Sequence, residues 1–265
     1  MFPDVSIVLP CYRAARLAGE SVQRIRAFME TTGIDWELIV VDDGGGDFPA
    51  GDETVGGIAS LIRLERNRGK GAAVGAGMMA ARGRVRVYTD VDLPYDLALI
   101  PVIVSLVLDR HFHLVVGDRT LPDSRYRAEL SVGRRLASGV FTQIVGTLVT
   151  GGFFDTQCGL KGMRGDVADE LFRLRRIDRF AFDVELVYLA LHHGLDIKRI
   201  PVQLRANETS SVRLFRDSAR GMIDVLSIKL HQLRGHYASP TLVSMVREEF
   251  GDLERASRVE SVHTP

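Results

Sequence analysis

Short apolar runs alternating with helix-length segments constrain the first half of this 265-residue chain more than any other feature. Val5–Leu9, Trp36–Val41, Leu61–Leu64, Val85–Tyr88 and Leu114–Gly117 are brief and mostly β-branched or apolar. Helical candidates lie between them over 18–31, 70–82 and 96–110. Strands separated by helices need crossover connections, so the pattern predicts βαβ units around a mainly parallel, doubly wound sheet. The second half reads as helix over 133–150, 166–175, 181–193 and 213–234, with one more strand from Ile197 to Leu204. No internal repeat is visible. We expect one domain over 1–235 and a loosely ordered C-terminal extension over 236–265, where from about Arg247 the chain turns polar and loses periodicity.

Bulk properties exclude several classes. Hydrophobic residues make up 46% and charged residues 26%, the balance of a soluble globular protein. Thirty-four basic residues offset 34 acidic ones, so net charge offers no case for nucleic-acid binding. The two cysteines, Cys11 and Cys158, have neither a CxxC nor a metal-ligand spacing. Free thiols near the core and a reducing compartment are expected. There is no basic segment followed by an apolar one at the N-terminus, so no secretory signal is expected. Leu136–Phe154 is free of charge, bracketed by Arg134, Arg135 and Asp155. Gly, Ser, Thr and Gln dilute it below a membrane span, and a buried or interfacial helix is expected.

Carboxylates cluster at predicted strand ends. Tyr88-Thr89-Asp90-Val91-Asp92 closes a buried strand with two acids one residue apart. Such a pair suits Mg²⁺ or Mn²⁺, oxygen-seeking ions shared between protein carboxylates and substrate phosphates. Ligands of open α/β sheets bind outside the carboxyl ends of strands. The second strand ends in Val41-Asp42-Asp43-Gly44-Gly45-Gly46, where acids can accept hydrogen bonds from a ribose or base and glycines admit a ligand. Pro10-Cys11-Tyr12-Arg13 follows the first strand in place of GxGxxG, which argues against NAD or FAD. Asn67-Arg68-Gly69-Lys70-Gly71 opens a helix of small residues whose N-terminus could face an anion. The P-loop pattern GxxxxGK[ST] is absent.

Together these residues resemble a family. Leu9-Pro10, Val40-Val41-Asp42-Asp43-Gly44, Asn67-x-Gly-Lys-Gly and Thr89-Asp90-Val91-Asp92, in that order, look like a family-two glycosyltransferase of GT-A fold. Asp155-Thr156-Gln157-Cys158-Gly159-Leu160-Lys161 and Phe180–Leu186 resemble its dolichyl-phosphate β-glucosyltransferase branch, as do Ile200-Pro201-Val202 and Ser210-Ser211-Val212. The resemblance covers roughly residues 4–235. It implies a Rossmann-like α/β fold, a mixed, mainly parallel sheet flanked by helices. It also implies inverting transfer from a nucleotide-diphosphate sugar to a polyprenyl phosphate, with Mg²⁺ or Mn²⁺. Carried over position by position, Pro10, Tyr12, Asp42, Asp43, Lys70, Asp90 and Val91 would bind the donor. Asp90 and Asp92 would hold the metal, Asp92 more directly. Arg119, with Arg134 or Arg135, would face the acceptor phosphate, a task suited to guanidinium groups. Asp183 is the candidate base, with Glu185 and Asp155 as rivals.

Departures from the family pattern lie around the nucleotide. Arg13-Ala14 replaces Asn-Glu, Gly44-Gly45 replaces Gly-Ser, and Val91 stands where Ala is usual. UDP-glucose leads as donor, with GDP-mannose as the alternative. A soluble hydroxyl acceptor and a non-catalytic sugar-nucleotide binder are the other readings, and the oligomeric state is left open. The terminal membrane helices of many relatives are not seen, so the expectation is a cytoplasmic protein held peripherally on the inner face of the membrane. Arg213–Arg234 carries an apolar stripe of Phe215, Ala219, Met222, Leu226, Leu230 and Leu233, with Arg213, Arg216, Arg220, Lys229 and Arg234 around it. That helix either packs its stripe on the sheet or lays it on a membrane.

Overall fold

The computed structural model describes residues 2–124, 152, 155–203 and 214–247, with the side chains of 214–222 left aside. Arg134, Arg135, the 136–154 run and Ser210-Ser211-Val212 therefore fall outside the described residues, apart from Gly152. Eight strands form one mixed sheet: β1 (Val5–Cys11), β2 (Trp36–Asp42), β3 (Thr54–Val55), β4 (Ala59–Arg63), β5 (Val85–Tyr88), β6 (Leu114–Asp118), β7 (Lys161–Arg164) and β8 (Ile197–Pro201). Their spatial order is β3-β4-β2-β1-β5-β7-β6-β8. The neighbours β4-β2-β1-β5 and β6-β8 run parallel. The edge strand β3 and the internal β7 are antiparallel to their neighbours.

Six described helices flank the sheet: α1 (Ala15–Met29), α2 (Lys70–Ala80), α3 (Leu99–Leu108), α4 (Gly165–Leu174), α5 (Phe182–His192) and α6 (Leu214–Leu233). Alternation along the strands sorts the core into two layers. Val8, Ile39, Val41, Tyr88 and Val116 face α2, α4 and α5. Ile7, Leu9, Val40, Val87 and Val115 face α1 and α3. Both faces of the central strands are covered, which explains why those strands read as mostly apolar runs. The small residues of α2 let it settle on β1: a Cβ on Gly77 would lie 2.4 Å from Val8 Cγ1.

Two features depart from the sequence-based expectation. β7 lies inside the 161–164 segment, which carries Lys, Gly and Arg instead of a β-branched run. It is buried because it is inserted between β5 and β6, and Gly162 makes the fit possible, since a Cβ there would lie 2.3 Å from Ile103 Cγ2. On α6, the described part of the expected stripe does not pack on the sheet. Leu226, Leu230 and Leu233 are exposed, as is Ile223, while Val225 and Ile228 turn into the core. Helical periodicity found an apolar face, but a second apolar row beside it took the contact. Beyond 235, Tyr237, Ser239 and Leu242 are buried against the α4–α5 layer.

Candidate active site

The carboxyl ends of β1, β2, β5 and β6, together with the start of antiparallel β7, meet at one edge of the sheet. Most residues singled out from the sequence gather there. At the end of β2, Asp42 and Asp43 are both buried. Asp42 Oδ1 accepts the Gly45 N–H at 2.7 Å. Asp43 accepts the N–H groups of Arg68 and Gly69, each at 2.8 Å. Burial raises the Asp43 pKa even against those two bonds. The pair thus shapes the loops beside it, and Gly69, at φ 108°, takes a backbone form that favours glycine. The α2 N-terminus is correspondingly less open to an anion than its sequence implies. Ala72 N–H bonds the carbonyls of Gly69 and Asp178, and Ala73 N–H that of Gly69. At the end of β1, Tyr12 is exposed, with the Arg13 guanidinium 5.2 Å from its ring centroid. Pro10 is half-buried.

Two lysines and two aspartates form the centre. Lys70 Nζ, in the first turn of α2, lies 2.6 Å from Asp90 Oδ1, and their side chains are 16% and 34% exposed. Burial alone would lower the pKa of Lys70, but the charges of Asp90 and Asp183 prevail and hold it well above the ordinary value. Lys161 Nζ, wholly buried at the start of β7, lies 2.5 Å from Asp183 Oδ1 and donates to the Cys158 carbonyl at 2.7 Å. The same Asp183 oxygen accepts the Tyr88 hydroxyl at 2.6 Å. Burial and the Asp183 charge push that phenol's pKa up. Val91 and Asp92 continue from Asp90, and the Val91 carbonyl is held by Ser21 Oγ at 2.5 Å. Gly159 leaves room beside this cluster: a Cβ there would stand 2.0 Å from Asp90 Oδ2.

At the end of β6, Asp155 binds Arg119 through Nη2 at 2.6 Å, Nε at 2.9 Å and the backbone N–H at 2.7 Å. Burial opposes ionisation of Asp155, yet Arg119 holds its carboxyl below the usual range. Asp155 is therefore a partner that orients Arg119, an arrangement different from the base role for which it stood as a rival to Asp183. Asp118 bonds Thr120 and Arg199 and fixes the turn into this pair. Glu185 also differs from expectation. Its carboxylate, with no exposure, accepts Arg176 N–H, Ile177 N–H and the Tyr237 hydroxyl. It ties the loop after α4 to the segment beyond α6, with partners separate from those of Asp183. Sequence reasoning missed the partner roles of Lys161 and Tyr88; the only signal was a lysine just past the Asp-Thr-Gln-Cys-Gly motif. Among the described residues, no group of three or more His, Cys, Asp or Glu is arranged to hold a metal ion. Among them, too, no helix is long and apolar enough to cross a membrane.

Solved structures match this architecture. Glucosyl-3-phosphoglycerate synthase of Mycobacterium tuberculosis, in complex with Mn²⁺, UDP and glucosyl-3-phosphoglycerate, superposes with a TM-score of 0.62 at 20% identity, covering 84% of this chain and 78% of that one. The same synthase is also known with Mg²⁺ and UDP. The fold, with carboxylates gathered at its strand ends, is that of the GT-A glycosyltransferases. Residues 6–172 match Glycosyl transferase family 2, and the chain belongs to that family of glycosyltransferase enzymes. A dolichyl-phosphate β-glucosyltransferase of Dictyostelium discoideum is 29% identical over 246 residues, 87% of this chain and 75% of that protein. The Homo sapiens dolichyl-phosphate β-glucosyltransferase is 27% identical over 248 residues, 88% and 76%.

Proposed function

We propose that this chain is an inverting transferase that moves a hexose from a nucleoside-diphosphate sugar to a polyprenyl phosphate, with UDP-glucose as donor. The observation that carries this reading is the likeness to dolichyl-phosphate β-glucosyltransferases along 87% and 88% of the chain. Asp42 and Asp43 shape the nucleotide pocket by holding the N–H groups of Gly45, Arg68 and Gly69, and Pro10 and Tyr12 complete it. Lys70 serves the donor diphosphate. Asp90 and Asp92 fit Mg²⁺ or Mn²⁺, because both are hard oxygen donors and the bare Gly159 backbone leaves the Asp90 carboxylate space. When bound, the ion offsets charge on the departing diphosphate.

Arg119, aligned by Asp155, receives the acceptor phosphate; Arg134 and Arg135 are assigned to the same anion. A phosphate monoester has a second pKa of about 6, so at neutral pH it attacks largely as the dianion without needing deprotonation. The Asp183 carboxylate fits that chemistry as an anchor. One of its oxygens already takes Lys161 and Tyr88, so it holds charge in place more than it moves a proton. The outward row Ile223, Leu226, Leu230 and Leu233 supports peripheral membrane attachment through α6, which this reading assigns to the inner face.

The test supplies labelled UDP-glucose, a polyprenyl phosphate and Mn²⁺, with a parallel GDP-mannose sample, then partitions the products between organic solvent and water. Acid-labile label in the organic phase from UDP-glucose is the expected result. Label from GDP-mannose alone would reassign the donor. Donor turnover with label only in water would refute the lipid acceptor.

A further inference from the structure

We infer that Lys70 occupies Oδ1 of Asp90, the oxygen not set against Gly159, so that the protein binds its divalent ion tightly only once a nucleoside diphosphate has drawn the lysine away. This rests on the reading of Asp90 as a metal ligand. The two oxygens of Asp90 face different neighbours. Oδ2 sits against the Gly159 backbone, where even a methyl carbon would come within 2.0 Å. Oδ1 carries the Lys70 ammonium at 2.6 Å. A divalent ion binding that carboxylate needs an oxygen at about 2.0–2.1 Å for Mg²⁺, and it cannot share a lone-pair direction with an ammonium at hydrogen-bond distance. Two cations so close would also repel strongly in a partly buried site.

The lysine backbone has little freedom to retreat. Gly69 is held by Asp43 at 2.8 Å, and a Cβ on Gly69 would stand 2.7 Å from the Asp178 carbonyl. Only the flexible side chain can swing, and a diphosphate offers it acceptor oxygens that replace Asp90. Metal and nucleotide binding are then coupled through one ammonium. The coupling must be reciprocal, so UDP tightens metal binding by the same factor as metal tightens UDP binding.

Mn²⁺ titrated into the full chain, followed by the electron paramagnetic resonance signal of the free ion, reads this directly without sugar, lipid or turnover. Wild-type protein should bind Mn²⁺ weakly alone and at least about tenfold more tightly with saturating UDP, a coupling of about 1.4 kcal/mol. Lys70→Met should tighten Mn²⁺ binding without UDP by at least about fivefold and remove most of the UDP effect. Lys70→Gln serves as the second uncharged variant should the methionine protein fail to fold, and Lys70→Arg should stay close to wild type. Uncharged variants that bind Mn²⁺ no more tightly than wild type would overturn the inference. So would Asp90→Asn protein that binds Mn²⁺ as well as wild type. A failed lipid-transfer assay would leave these results standing, so the two readings fail separately.

Discussion

Replacing Lys161 with methionine tests the charged centre most sharply. The Lys161 side chain has no exposure and that of Asp183 only 4%, at a separation of 2.5 Å. Methionine keeps the length and apolar stem but strands a buried carboxylate. Breaking a buried pair by removing one partner costs about 3–5 kcal/mol, most of it from the charge left behind. Tyr88 still donates to Asp183, and Lys70 stays within range of its charge, so the lower end, about 3 kcal/mol, applies. At roughly 2–4 °C per kcal/mol for a chain of this size, Tm should fall by about 6–12 °C. Urea unfolding followed by circular dichroism gives the free energy. Lys161→Met/Asp183→Asn removes both charges and should recover a large part of the loss, with a coupling of about 2 kcal/mol. A single variant within about 1 kcal/mol of wild type, or a double variant equal to the sum of its parts, would refute the reasoning.

Asp92→Ala should abolish sugar transfer, while Asp183→Asn, in folded protein, should retain more activity; equal loss would sink the phosphate-nucleophile argument. Gly159→Ala should lower kcat by at least about tenfold, by roughly the weight of one misplaced transition-state contact, because its Cβ would meet Asp90 Oδ2 at 2.0 Å. An active Gly159→Ala enzyme would show that the Asp90 carboxylate is free to move. The Arg119–Asp155 pair should matter less in acid. Its folded carboxyl lies below the ordinary value, so its stabilisation is present above about pH 3.9 and disappears as pH falls through the folded pKa. The stability gap between wild type and Asp155→Asn should therefore narrow below about pH 4; a gap that widens there in urea titrations would reverse the sign. Finally, Leu226→Asp/Leu230→Asp should release the protein from anionic liposomes with little change in Tm, and unchanged sedimentation with the vesicles would count against α6 as the attachment face.

Much of this was legible in the residues. Strands covered on both faces advertise themselves by mostly apolar runs, and β1, β2, β5 and β6 were read that way, with β4 and β8 expected as strands from weaker patterns. β7 was hidden because its burial depends on partners far along the chain: Asp183 for its lysine, and Ile103 closing over its glycine. The carboxylates at the strand ends were visible as isolated acids, but their pairing was not. Nothing local in Asp183-Val184-Glu185 says that one acid meets Lys161 and the other closes on Tyr237, since those contacts span 22 and 52 positions. The direction of the α6 stripe was hidden for a related reason. The helix has two apolar rows, and only the neighbouring layer decides which is covered.

The late, reversed β7 has a consequence for how the chain acquires its structure. β1, β2, β4 and β5 can pair as soon as residues up to Tyr88 exist, but β5 then ends the sheet with its outer ladder open. Its proper neighbour arrives only with residues 161–164, 73 or more positions after Tyr88 in the registers Tyr88↔Lys161 and Val85↔Arg164. Contacts of such separation form slowly, and an apolar strand left open meanwhile is a template for another chain. A fragment ending before residue 161 should therefore aggregate through β5, and during synthesis this edge is the stretch that most needs shielding.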